Sequence, residues 1–235
     1  MSRSIRLHVA SPLAQGAELQ ATPGQAHYLG TVMRRATGDS VSLFNGVDGE
    51  WQARVVSLHR DRAVLAVERL LRPQLGGPDL WLAFAVLKRD ATDLVVQKAT
   101  ELGASLLQPV LTERTGAWRV NVDRLAAIAT EAAEQSERLT VPRIAAVRPL
   151  RDVLGAWPAD RPLFAALERR AAPPLSGWPR PAGLLVGPEG GFSPRELDEL
   201  CRYPFVRAVT LGPGILRAET AAIVGLALLQ APGSG

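Results

Sequence analysis

The feature that most constrains this chain is a break in rhythm at Arg72-Pro-Gln-Leu-Gly-Gly-Pro78, a segment too dense in proline and glycine to lie inside a helix or strand. Upstream, apolar residues fall in short runs of alternating or β-branched character at Ile5–Val9, Asp39–Phe44, Trp51–Leu58 and Arg62–Leu70. Asn45-Gly-Val-Asp-Gly49 reads as a hairpin link, because Asn and Gly tolerate the positive φ such turns need. One short helix is expected between Pro23 and Arg35. Short strands punctuated by turns predict a small β-barrel domain over residues 1–72. Downstream the pattern becomes strand, helix, strand. Apolar runs at Leu80–Leu87, Leu106–Leu111, Leu163–Leu167, Gly183–Val186 and Val206–Leu211 alternate with helical periodicity at Ala91–Leu102, Val122–Arg138, Pro194–Arg202 and Ala218–Gln230. That rhythm predicts an α/β domain over residues 73–235, a parallel sheet covered on both faces.

At 235 residues the chain has length for one or two domains. An apolar fraction of 47% and a charged fraction of 21% exclude disorder, collagen and coiled coil. No apolar run approaches the roughly 18 residues that span a bilayer, the longest being Ala221–Leu229, so no membrane partner is expected. The opening Met1-Ser-Arg-Ser-Ile-Arg lacks the apolar stretch of a secretory signal. Cys201 is the single cysteine, and His8, His27 and His59 are scattered, so neither an internal disulfide nor a metal site is expected. A cytoplasmic protein follows from these absences. The net charge of +4 is uneven, with nine arginines against six acids in residues 1–72. That surplus fits a polyanion partner, and equally a solvated surface.

Ligands of open α/β sheets bind beyond the carboxyl ends of the strands, which directs attention to the loops there. In Leu184-Leu-Val-Gly-Pro-Glu-Gly-Gly-Phe-Ser-Pro-Arg-Glu196 an apolar strand runs into a glycine-rich turn and a helix start. Ser193 is the expected N-cap, Pro194 the first helical residue and Glu196 the return acceptor of a capping box. The glycines would let backbone approach a ligand, or simply make a tight turn. Neither the phosphate-binding loop nor the dinucleotide fingerprint is present. A second such turn occurs in Leu211-Gly-Pro-Gly-Ile-Leu-Arg-Ala-Glu-Thr-Ala-Ala222. Glu219 or Thr220 would serve there as a cap, but Arg217 faces the positive end of the helix dipole and has no routine structural reason to be there. Lys98 with Glu101, and Glu131, Glu134, Gln135 and Arg138, share helix faces and read as solvated pairs. His27 and Cys201 read as ordinary packing or surface residues. No Gly-x-Ser-x-Gly elbow occurs, which leaves hydrolase chemistry without support.

The two loops in this order, Gly187-Pro-Glu-Gly-Gly-Phe-Ser193 and then Leu211-Gly-Pro-Gly-Ile-Leu-Arg-Ala-Glu-Thr-Ala221, resemble the RsmE family of ribosomal RNA methyltransferases. Gln97-Lys-Ala-Thr-Glu-Leu-Gly103, Glu113-Arg114, Ala133-Glu-Gln-Ser-Glu-Arg138 and His27-Tyr-Leu-Gly-Thr-Val-Met-Arg34 are similar to further family segments, so the resemblance covers nearly the whole chain. It implies an N-terminal PUA-like β-barrel that binds RNA and a C-terminal SPOUT domain whose parallel sheet is tied in a trefoil knot. The rhythm of strands and helices cannot supply that knot, since general rules of chain connection argue against one. It also implies a homodimer that uses S-adenosyl-L-methionine to methylate N3 of uridine 1498 in 16S rRNA of the small ribosomal subunit.

The resemblance places cofactor contacts at Leu185, Val186, Gly187, Pro188, Glu189 and Gly190, at Leu211, Gly212, Ile215 and Leu216, and in a third segment at Leu167 and Glu168. Arg217 is the implied stabiliser of charge on the uracil. Glu219 is the implied base, though a carboxylate at a helix start makes a poor one. RNA contacts are expected from Arg3, Arg6, Arg34 and Arg35 in the first domain and from Lys88 and Arg89 after a strand. Met33 replaces a usual leucine at similar volume, and Phe192 and Ala218 fall at positions expected to be permissive.

Overall fold

The computed structural model describes residues 5–77, 79–116, 119–167 and 171–231; Arg3 and Glu168 lie outside the described residues. The chain divides into two compact units. The first holds the chain up to Gly77 together with Ala133–Val141, and the second holds the remainder.

Among the described residues, the first unit contains five strands, β1 (Arg6–His8), β2 (Glu18–Gln20), β3 (Ser40–Phe44), β4 (Glu50–His59) and β5 (Arg62–Arg72), in the spatial order β1-β3-β4-β5-β2. β1 runs parallel to β3 and the other pairs are antiparallel. The β3–β4 hairpin is closed by Asn45, whose Oδ1 accepts from the amides of Val47 and Asp48, while Gly46 and Gly49 take φ of 82° and 86°. Alternation buries Val41, Leu43, Val55 and Leu65 in one core with Leu7 and Leu29. β2 has only one buried apolar residue, Leu19, and is too short to leave a sequence pattern. The expected helix is split into α1 (Pro23–His27), started by a Thr22–Gln25 capping box, and a π-helical turn over Tyr28–Val32. Arg34 follows with φ of 50°, a left-handed conformation uncommon for a side chain of its size.

Arg6 is not a surface cation. It is only 9% exposed, its Nε donates to Glu50 Oε1 at 2.6 Å, and its Nη atoms donate to the carbonyls of Ala133, Glu134 and Arg138. Its guanidinium also lies 4.4 Å from the centre of the Phe44 ring. With its donors engaged inside the unit, Arg6 is unavailable to RNA, which corrects that expectation. The face of Glu134 and Arg138 is likewise not simply solvated, since Glu134 Oε1 accepts from the His8 amide at 2.9 Å.

The second unit is built on β6 (Leu80–Ala85), β7 (Leu106–Leu111), β8 (Arg143–Ile144), β9 (Arg148–Pro149), β10 (Leu163–Ala166), β11 (Ala182–Val186) and β12 (Val206–Val209). The order is β12-β10-β11-β6-β7-β8, with β9 also on β7, and every pairing among these described strands is parallel. Helices α2 (Arg89–Glu101), α3 (Val122–Gln135, up to Ala132), α4 (Leu150–Gly155), α5 (Pro194–Leu200) and α6 (Ala218–Gln230) complete it. Two-residue β8 and β9 and the six-residue α4 are too short to show periodicity. Strand β11 is inserted between two earlier strands, β10 and β6, and α6 then returns to pack on α2, β6 and β11. The segment before β11 lies along the end of that helix, with the Trp178 amide donating to Leu229 O at 3.3 Å. This late insertion and return is the winding of the SPOUT fold. Gly183 and Gly225 make room for it, against Trp157 on one sheet face and Leu184 on the other.

Candidate active site

Because the strands of the second unit are parallel, their carboxyl ends lie along one edge. The register sets Ala166, Val186 and Val209 level at the ends of β10, β11 and β12, which are neighbours in the sheet. Three of the expected segments, starting at Leu167, Gly187 and Leu211, therefore emerge side by side. Strands lie about 4.8 Å apart, so the span is roughly 10 Å, a width a nucleoside can bridge.

The loop after β11 is held by packing and by an internal hydrogen bond. Leu185 and Val186 are buried in the strand, and Pro188 O accepts from the Gly191 amide at 2.8 Å to form a turn around Glu189 and Gly190. Gly191 takes φ of 67°. A Cβ on Gly187 would lie 2.9 Å from the Phe192 ring, and Phe192 is buried, so this is a packed position rather than a permissive one. Ala218 is buried too. Ser193 caps α5, and its Oγ accepts from the Glu196 amide at 3.1 Å.

The carboxylate of Glu196 does more than close that capping box. Only 6% exposed, it accepts from the Ser193 amide through Oε2 and from the Glu113 amide, in the loop after β7, through Oε1 at 2.9 Å. Arg114 reaches the same loop, its Nη1 donating to Gly190 O at 2.7 Å. The capping pattern predicts the first contact of Glu196, whereas the second spans 83 positions and has no sequence signal.

The loop after β12 is open. The Thr210 hydroxyl donates to Gly212 O at 3.0 Å, Gly212 takes φ of 135°, and no atom lies within 4 Å of where a Cβ would stand on Gly212 or Gly214. Leu211 and Leu216 are half-buried, while Ile215 is 70% exposed. Arg217 occupies the N-cap position of α6, exposed, and no side-chain hydrogen bond caps this helix. Glu219, in the first turn, is half-buried and leaves the cap unfilled, as does Thr220.

Lys88 and Arg89 are exposed where β6 gives way to α2, at the same sheet edge. In the first unit Arg34 is exposed, and Arg35 is half-buried with Asp39 at 3.9 Å. Lys98 pairs with Glu101 at 2.8 Å, as its spacing predicts. No group of three or more metal-ligating side chains occurs among the described residues.

Similarities to known proteins cover the chain. Residues 76–230 match an RNA methyltransferase domain and residues 22–68 an RNA methyltransferase PUA domain. Ribosomal RNA small subunit methyltransferase E of Rickettsia conorii is 34% identical over 97% of this chain and 96% of its own length. The enzyme of that name from Synechocystis is also 34% identical, over 96% of this chain and 77% of its own. The crystal structure of ribosomal RNA small subunit methyltransferase E from Neisseria gonorrhoeae, bound to S-adenosyl methionine, superposes with a TM-score of 0.85 at 27% identity and covers 96% of both chains. A glycine-lined edge of a SPOUT sheet, a PUA domain and 34% identity over nearly the whole chain together make the chain a member of the ribosomal RNA small subunit methyltransferase E family.

Proposed function

We propose that the protein uses S-adenosyl-L-methionine to methylate N3 of uridine 1498 in the 16S rRNA of the small ribosomal subunit, acting as a homodimer in the cytoplasm. In this reading residues 73–235 hold the cofactor and perform the transfer, and residues 1–72 engage RNA. The observation that carries it is the emergence of the Leu167, Leu185–Gly190 and Leu211–Leu216 segments from three adjacent strands whose ends are level. No described helix is long and apolar enough to cross a membrane.

The residues present suit such a cofactor. Open glycine backbone at Gly212 and Gly214 allows main-chain hydrogen bonds to a nucleoside, and Ile215 offers an apolar surface that no core covers. The bound cofactor supplies an electrophilic methyl group that the protein need not activate. The protein's part is therefore to place the uracil and manage its proton. Loss of the N3 proton leaves negative charge on the flanking carbonyl oxygens. Arg217, exposed at the N-cap of α6, supplies a guanidinium to stabilise it, and the positive helix end adds to that field. Glu219 accepts the proton, but the same helix end favours its carboxylate, so positioning contributes more than base strength. Arg34, Arg35, Lys88 and Arg89 hold RNA through its phosphates, which orient the substrate without reading its sequence.

The deciding experiment supplies isotope-labelled S-adenosyl-L-methionine and small subunits from cells lacking the modification, followed by nuclease digestion and mass spectrometry. Label on N3 of the uridine is expected. Label on a ribose oxygen or another base, or none in the presence of bound cofactor, rejects this assignment.

A further inference from the structure

We infer that Arg114 is a positioning residue that holds the glycine-rich loop after β11 in its ligand-ready shape, an inference that rests on reading that loop as a cofactor site. The loop after β7 reaches across the end of β6, the strand lying between β7 and β11, and is fastened at two points. Arg114 Nη1 donates to Gly190 O at 2.7 Å, and the Glu113 amide donates to Glu196 Oε1 at 2.9 Å. Glu196 is itself held by the Ser193 amide at 2.8 Å, so the second fastening is anchored in the start of α5.

The backbone that Arg114 grips is the part of the loop least able to hold itself. Phe192 packs on Gly187 and secures that position, and Pro188 is buried. The peptide between Gly190 and Gly191 has a glycine on each side, so no Cβ resists its rotation. Pinning the Gly190 oxygen fixes that peptide plane, and with it the direction of the Gly191 amide, which donates to Pro188 O at 2.8 Å. A guanidinium makes a charge-assisted bond to the carbonyl, stronger than a neutral one. A loop ordered in advance spares its ligand the entropy of ordering it, so the benefit appears in affinity rather than in the chemical step.

The test compares wild-type protein with Arg114→Ala and Arg114→Lys by calorimetric titration with S-adenosyl-L-methionine, by steady-state methylation, and by hydrogen exchange of the Gly191 amide without cofactor. Arg114→Ala is expected to raise Kd and KM for the cofactor about ten-fold, leave kcat within about two-fold, and speed Gly191 exchange. Arg114→Lys, which restores one charged donor, recovers part of the affinity. Unchanged affinity and exchange in Arg114→Ala overturn the positioning role and leave the cofactor site standing, and so does a fall in kcat alone. Wild-type protein that binds no cofactor overturns the site itself and the role with it.

Discussion

In the first unit Arg6 is buried against Glu50, the Phe44 ring and three carbonyl oxygens, whereas in the second Arg217 stands exposed at the entrance of α6. Arg72 joins the first cluster, donating to Glu50 Oε2 at 2.5 Å and to Glu137 O at 2.9 Å. The carbonyls that Arg6 takes belong to the end of α3 and the turn after it, where the negative end of the helix dipole attracts a cation. Arg217 sits at the opposite kind of helix end, where a cation is disfavoured unless something anionic arrives. One residue type thus serves as scaffold in one unit and, in the function proposed above, as reagent in the other. What separates the two uses is which helix terminus the guanidinium meets, and whether it still has donors to offer.

Substitutions can break that contrast. The largest effect is expected from Arg217→Ala, which should lower kcat by roughly a hundred-fold or more while leaving cofactor Kd unchanged. Equal loss of turnover and binding would make Arg217 a binding residue instead. Arg6→Ala should cost about 2 kcal/mol of stability, read as a lower urea midpoint. It removes one of the two guanidinium partners of Glu50 and a charged donor from three carbonyl oxygens, while Arg72 still pairs with the carboxylate. RNA affinity of the folded fraction should hold; a selective loss of it would return Arg6 to the RNA surface. Gly183→Ala tests the packing of the second unit. Its new methyl would run into the Trp157 ring, whose Nε1 is tied to Arg161 O at 2.9 Å and cannot easily move. A loss of about 2 kcal/mol is expected in thermal unfolding, and a neutral result would mean the ring can shift.

The smaller effects sharpen the comparison within the first unit. Replacing Arg34 and Arg35 together by Gln should reduce the slope of log affinity against log salt by about 1.5, as expected for two lost phosphate contacts. An unchanged slope would remove them from the RNA surface. His8 is partly buried on β1, and burial lowers its pKa from 6.5. The unfolded chain therefore takes up a proton first on acidification. Stability should be full above pH 6.5 and decline as pH falls from there to the lower folded value. Denaturant midpoints across that window should flatten in His8→Gln.

The legible parts of this protein were those written locally. Strong apolar runs marked β6, β7, β10 and β11 because interior parallel strands are buried on both faces and need no alternation. Ser193, Pro194 and Glu196 marked the start of α5 because capping joins residues three apart. The two glycine-rich motifs pointed to a family and to loops at strand ends. Less was legible where an element was short, as at β2, β8, β9 and α4, or where the meaning of a residue lay in a distant partner. Arg6 looked like any surface cation, Phe192 like a free position, and Glu196 like a cap and nothing more.

By itself the sequence determined the two kinds of local rhythm, the turn at Asn45, the start of α5 and the presence of glycine where backbone must stay bare. Only the tertiary structure decided that β11 enters between β10 and β6, that three loops surface side by side, and that residues Ala133–Val141 pack with the first unit. The physical reason is range. Periodicity, capping and turn preference act over a few residues, while strand order, the burial of a guanidinium and the reach of Arg114 to Gly190 depend on which distant segments meet once the core has closed.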